Sequence, residues 1–229
     1  MHPQSLSWVE LKEYMERKRE PLVLPIGSVE GHGLHLPINT DTLIAEFIAD
    51  KLAERNNWIS LPPITYTIAV PVRPGNVHIP VKVFREYLKS ILEHFISFSQ
   101  KKFIIVMGHG GPEMKNSIIE ACDYLCKKYD TLIAIFHASQ ILRKLGLINT
   151  SIDKHAGMWE TSIIMAIDDN LVKNLDFYKK HNNFYKYGVI GDPLKASPNK
   201  GLKFAEAIIN YIESIFRRLM YHNICYYEK

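Results

Sequence analysis

No stretch of this sequence approaches the roughly 20 uninterrupted apolar residues that a membrane-spanning helix requires. The first 20 residues, MHPQSLSWVELKEYMERKRE, also lack the apolar block of a secretory signal, so a cytoplasmic protein is expected. Cysteine is scarce. Three in 229 residues is an odd number and too few for a disulfide framework, which points to reduced thiols. Cys122 and Cys126 stand four apart in a helical pattern and could face one metal. No second pair accompanies them, however, and two semi-buried small residues is the simpler reading. Charge of one sign is lacking too, since 28 basic against 24 acidic residues leaves only +4. That excess is too weak to call for a nucleic-acid partner, and no basic stripe or aromatic platform appears. Internal repeats, low-complexity segments and linker-like stretches are absent.

What is present is ordinary globular material, 47% hydrophobic and 23% charged, in a length suited to a single α/β domain over residues 1–229. Residues 21–28, PLVLPIGS, read as a buried strand feeding a turn. Residues 41–55 carry Leu43, Ile44, Phe47, Ile48 and Leu52 at helical spacing behind candidate caps Asn39, Thr40 and Asp41. Residues 61–80, with five prolines, predict an irregular rim holding at most one strand near 65–70. Helical period returns over 83–100, a β-branched strand follows at 103–107, and helix 117–128 and strand 132–136 come next. A long amphipathic helix covers 202–221. Strands alternating with helices predict a three-layer α/β architecture, a mostly parallel sheet flanked by helices.

Ligands of such sheets bind beyond the carboxyl ends of the strands. The loop after the first strand, GSVEGHGLHLPINTD, carries Glu30, His32, His35 and Asp41. The loop after strand 103–107, GHGGPEMKN, supplies His109, and a third cluster, KHAGMWETS, holds His155 and Glu160. Imidazole and carboxylate are the usual donors for Zn²⁺ and Mn²⁺, glycines let a loop fold tightly enough for neighbouring donors to converge, and an aspartate can bridge two ions. The plainer alternative is that these groups are solvated or hydrogen-bonded. It weakens because three separate clusters fall on loops the topology brings to one edge.

The segment LPIGSVEGHGLHLPINTDTLIAEFIADKLAER is similar to the signature of the creatininase (creatinine amidohydrolase) family. GHGGPEMKN and HAGMWETS resemble that family's second and third motifs, and GVIGDPLKASPNKGLKFAEAII resembles its closing segment. The resemblance implies an α/β fold with two divalent ions (zinc, manganese or iron) that hydrolyses the C–N bond of a small cyclic or linear amide. It also implies a homo-oligomer, commonly a hexamer. Carried across, Glu30 and His109 would bind one ion, His32 the other, and Asp41 would bridge. The fifth ligand is open. Creatininase has a glutamate two residues beyond its second-motif histidine, whereas this chain has Gly111 there, leaving Glu160 as the best carboxylate. His155 matches the family's catalytic histidine, and Glu160 is the alternative proton carrier if it does not bind metal. Three departures stand out. Pro112 and Glu113 replace the usual continuation of the second motif. RPGNVHI makes Asn76 and His78 either pocket residues or plain loop residues. Trp159 is either an aromatic wall or packing.

The expected substrate is a small amide, creatinine-like or formylaminopyrimidine-like, with Arg73, Lys154 and Lys195 as scattered candidates for a phosphate contact. His35 has no firm role beyond orienting a ligand. His2, His94, His137, His181 and His222 read as surface or core residues, and Arg217 and Arg218 as a solvated face. The competing function is a metal-binding or assembly protein of the same fold without turnover, supported only by Pro112 and Glu113.

Overall fold

The structure, a computed structural model, describes residues 6–17, 20–72, 74–181 and 184–228. In chain order the elements are α1 (Trp8–Glu16), β1 (Leu22–Ile26), α2 (Thr40–Asn56), β2 (Ile59–Ser60), α3 (Val81–Ser97), β3 (Lys102–Met107), α4 (Pro112–Tyr129), β4 (Leu132–His137), α5 (Ala138–Lys144), α6 (Met158–Ile167), α7 (Leu175–Lys180), α8 (Pro198–Leu219) and β5 (Cys225–Tyr227). Five strands form one sheet in the order β2-β1-β3-β4-β5, and every pairing is parallel. The alternation of strands and helices therefore gives the expected sheet with helices on both faces. Among the described residues no helix is long and apolar enough to cross a membrane.

The strands read as continuous apolar runs because both faces are covered. Side chains alternate across the sheet. Val23, Ile104, Val106, Ala134 and Phe136 pack with α2, α5, α6 and α8, whereas Leu22, Leu24, Phe103, Ile105, Ile133 and Ile135 pack with α1, α3 and α4. Pro25 lies inside β1, where a missing N–H would ordinarily break a ladder. Val23 and Pro25 both turn their carbonyls towards the segment after β2, accepting from Leu61 N and Ile64 N. The missing N–H thus falls where β2 has already ended, so no ladder bond is lost.

Several boundaries differ from the sequence pattern for physical reasons. Helix α4 begins at Pro112 rather than 117, because proline suits the first helical position and Glu113 then sits favourably in the first turn. Likewise α8 begins at Pro198, with the Ser197 hydroxyl accepting from Lys200 N, four residues before its apolar stripe starts. Residues 65–70 form no regular strand. They contribute only the isolated bridge Ile68↔His78, while Ile64 bridges Ile26. Helix α1, with its Ser7–Glu10 capping box, and strand β5 extend the pattern at either end. His2 and Arg73 lie outside the described residues. The cysteines are free thiols, and all three pack in the cluster beneath α4 and β5.

The chain's last described residue is anchored. Glu228 is buried and accepts from Lys144 Nζ (2.5 Å), Tyr226 OH (2.5 Å) and Tyr211 OH (2.8 Å). Burial would raise its pKa, but these donors hold the carboxyl below its ordinary 4.5.

Two outcomes follow. A depressed carboxyl contributes stability above its unfolded pKa and loses it as pH falls through the folded value. The stability gap between wild type and Glu228→Gln, read from urea midpoints, is expected to be widest above about pH 4.5 and to close at lower pH. A gap independent of pH from 3 to 7 would refute that role. Gly201 lets α8 press on α6, where an added Cβ would lie 1.9 Å from the Ser162 carbonyl oxygen. Gly201→Ala is expected to cost about 1–3 kcal/mol, and an unchanged denaturation midpoint would show that the helices move apart freely.

Candidate metal centre

The carboxyl ends of β1 and β3 abut the first turn of α2 very closely. A Cβ on Gly27 would lie 2.3 Å from Thr42 Cα, and one on Gly108 would lie 2.0 Å from the Asp41 carbonyl oxygen. Only glycine allows this approach, and it delivers Asp41 to the strand ends. The loop after β1 is closed by Glu30 N donating to Ile38 O (2.9 Å) and Gly31 N donating to Asn76 Oδ1 (2.8 Å). Leu34 N donates to Tyr178 OH (2.8 Å), and His35 Nε2 meets Thr161 Oγ1 at 3.0 Å, so α6 and α7 brace the loop from outside.

Within this frame Asp41 faces two ways. Its Oδ1 is 3.2 Å from His32 Nε2, while its Oδ2 is 3.0 Å from His109 Nδ1 and accepts from Ser28 Oγ at 2.7 Å. Glu30 Oε1 lies 3.1 Å from His109 Nδ1 and 3.9 Å from His32 Nε2. Two donor groups share Asp41: Glu30, Asp41 and His109, and His32, Asp41 and Glu160. In each, the ligand atoms lie within 4.8 Å of one another. Glu30, His32 and His155 form a third such group. All five of Glu30, His32, Asp41, His109 and Glu160 are buried.

The donor chemistry fits a cation. His32 Nδ1 is 3.0 Å from the Glu30 carbonyl, which can only accept, so Nδ1 carries a proton. In the neutral ring Nε2 then presents a lone pair to a carboxylate oxygen 3.2 Å away and has no hydrogen-bond partner. Two lone pairs at that distance repel unless a proton or a metal lies between them. Without metal, a proton does so. Burial alone would strip His32, but Asp41, then Glu160 and Glu30, push its pKa up to about 10. His109 is likewise pushed up to about 10 against burial, by hydrogen bonds to Asp41 and Glu30. Asp41, despite burial, is held well below the carboxylate range by the two histidines. Glu160 is raised to about 8, chiefly by burial.

Helix α6 supplies Glu160 in its first turn, and Asp153 caps that turn by accepting from Met158 N (2.8 Å) and Trp159 N (3.1 Å). Glu160 accepts a short bond from Ala156 N. His155 is tied to Ile190 by a backbone bridge, so the segment 188–190 fixes its position. Its Nε2 donates to Gly31 O (3.0 Å), leaving Nδ1 as an acceptor 3.7 Å from Glu30 Oε1. Burial and the neighbouring His32 lower its pKa.

Glu30, Asp41, His109, His155 and Glu160 floor a cavity of about 560 Å³ whose walls include Gly110, Gly111, His137, Arg143, Lys154 and Trp159. Trp159 is both buried and part of the wall. Gly111 leaves room for the His109 ring, since a Cβ there would lie 2.5 Å from its Nε2. Asn76 and His78 do not line the cavity. Asn76 holds the Glu30 loop, and His78 Nδ1 donates to Ala69 O (2.8 Å). Lys195 pairs with Asp192 (3.3 Å) and also lies off the cavity wall. His35 belongs to none of the three donor groups, and burial lowers its pKa to about 4. The residue sequence reasoning missed is His137, read as surface or core but buried in the cavity wall at the carboxyl end of β4. The rule that pointed to the loops after β1 and β3 applies equally to β4.

The creatininase family model, described as creatinine amidohydrolase, matches residues 4–216. A mycofactocin precursor peptide peptidase from Mycolicibacterium smegmatis is 27% identical over 220 residues, covering 83% of this chain and 82% of that protein. A 2-amino-5-formylamino-6-ribosylaminopyrimidin-4(3H)-one 5'-monophosphate deformylase from Methanococcus maripaludis is 33% identical over 112 residues, 47% of each protein. A solved manganese form of creatininase superposes with a TM-score of 0.80 at 20% identity, covering 96% of this chain and 98% of the other. With a matched span that runs through all three donor-bearing loops, this chain belongs to the creatininase family.

Proposed function

We propose that the protein is a metal-dependent hydrolase that cleaves the amide C–N bond of a small, cyclic or heterocyclic substrate. The observation that carries this reading is Asp41, whose two carboxylate oxygens face separate histidines in two buried donor groups. Glu30 and His109 would hold one divalent ion, His32 and Glu160 the other, and Asp41 would bridge them. Zinc, manganese or iron all suit this mixture of imidazole and carboxylate. Two such ions would lower the pKa of a shared water towards neutrality and polarise a substrate carbonyl.

The chain's own residues supply the rest. Water must lose a proton to attack, and the leaving nitrogen must gain one, because an amide anion is a very poor leaving group. His155 suits this transfer, since its Nε2–H is committed to the Gly31 carbonyl and its Nδ1 lone pair is free beside Glu30. Glu160 serves as the alternative carrier if it does not bind metal. The two relatives' names, a peptidase and a deformylase, both describe breaking an acyl–nitrogen bond. The competing reading, a metal-binding protein without turnover, drew on Pro112 and Glu113, and those residues are accounted for as the start of α4.

Asp41→Ala is expected to lose bound metal and hydrolytic activity together, whereas His155→Ala keeps the metal and loses about 10²–10⁴-fold in turnover. Metal content by elemental analysis beside hydrolysis of a small amide panel checks both. Equal metal loss in the two variants would move His155 into the ligand set through its group with Glu30 and His32. Loading the metal-free protein at pH 7 is expected to release protons from His32, His109 and Glu160, because each must deprotonate to bind. Calorimetric titration in two buffers of different ionisation enthalpy counts them, and a count of zero would contradict the assignment.

A further inference from the structure

The cavity has two chemically opposite halves. One is the carboxylate-rich floor of Glu30, Asp41 and Glu160. The other carries positive charge where it meets the solvent. His137 Nδ1 accepts from Gln140 N (3.3 Å), and a backbone N–H can only donate, so in the neutral ring the proton resides on Nε2. That Nε2 is buried against Gly110, where a Cβ would lie 3.2 Å away, and has no hydrogen-bond partner of normal geometry, while the His137 residue lines the cavity. Trp159, another wall residue, has a second buried donor without a partner in its Nε1. Arg143 on α5 and Lys154 before His155 stand exposed on the same wall. Among the described residues neither meets a carboxylate. Lys144 beside Arg143 is already spent on Glu228, and Asp153 beside Lys154 on the α6 cap.

A neutral amide offers two unpaired cations on the wall of its cavity no charge to pair with. We propose that the substrate carries an anionic group, a carboxylate or a phosphate, that Arg143 and Lys154 seat while its amide lies over the Asp41 floor. Arginine pairs with either anion through a fork of parallel donors, and lysine adds a point charge. The segment from the end of β4 into α5 is thereby the specificity wall, and this assignment rests on the reading of the cavity as a hydrolase site. Of the cations that sequence alone offered for a phosphate, Lys154 is on this wall and Lys195 is not, while Arg73 lies outside the described residues.

The test uses the exposed cations, because removing His137 would also remove the acceptor for Gln140 N. Binding of inorganic phosphate and of succinate is measured by calorimetry on metal-loaded and chelator-treated protein. The wild type is compared with Arg143→Gln, Lys154→Gln, the double variant and Arg218→Gln on α8 as a remote control. The double variant is expected to weaken one or both anions by about ten-fold or more, in line with loss of a charge-assisted bond, with the control unchanged. The anion that loses more affinity identifies the group carried by the substrate. Affinities unchanged in the double variant would overturn the proposal. A panel of amides paired with and without a carboxylate then separates the two readings. If neutral amides are cleaved and anion binding ignores Arg143 and Lys154, the anion seat falls and the hydrolase stands. If no amide is cleaved while variant-sensitive anion binding persists, the hydrolase reading falls and the anion seat stands.

Discussion

Three buried carboxylates, Glu30, Asp41 and Glu160, lie among three imidazoles at the carboxyl edge of the sheet, and such a group is intolerable without positive charge inside it. In the metal-free protein that charge is protonic and resides on His32 and His109. A pair of divalent ions would provide it more fully, since each reaches several donors at once. The geometry around Asp41 states the requirement most sharply. One carboxylate cannot offer both of its oxygens to unprotonated imidazole nitrogens unless something cationic stands on each side.

Holding that cluster together falls to the surrounding scaffold. Glycines at 27 and 108 bring α2 against the ends of β1 and β3, while Ser28, Asn76 and Ile38 fix the loop that carries Glu30 and His32. Helix α6 arrives from the far side of the chain with its first turn capped by Asp153. Its contact through Thr161 to His35 ties the first and third donor-bearing segments directly. The same scaffold leaves an opening above the cluster whose wall is unlike its floor, and that contrast gives the cavity a direction for an incoming molecule.

The donor-bearing loops were legible because their residue types are unusual in irregular chain and because parallel sheets place such loops at one edge. Helices α2, α3 and α8 were legible from their apolar stripes, although α4 and α8 start earlier than those stripes do. Proline at the first turn looks like loop punctuation until the helix behind it is seen. Strands β2 and β5 were illegible for another reason. Two or three residues carry no period, and these segments are strands only because β1 and β4 offer them partners. The roles of Asn76, His78 and Lys195 were likewise undecided by residue type, since each can equally face a cavity or brace a loop.

Composition and spacing alone determined the class of fold, the three donor-bearing segments and the chemistry open to those side chains, because periodicity and donor type are local properties of the chain. Tertiary structure decided which oxygen of Asp41 faces which histidine, that His155 turns its Nδ1 lone pair towards the cluster, and that His137 and Arg143 join the cavity wall. Those facts depend on distances between residues tens of positions apart. Only the packing of strands and helices around a shared core sets such distances.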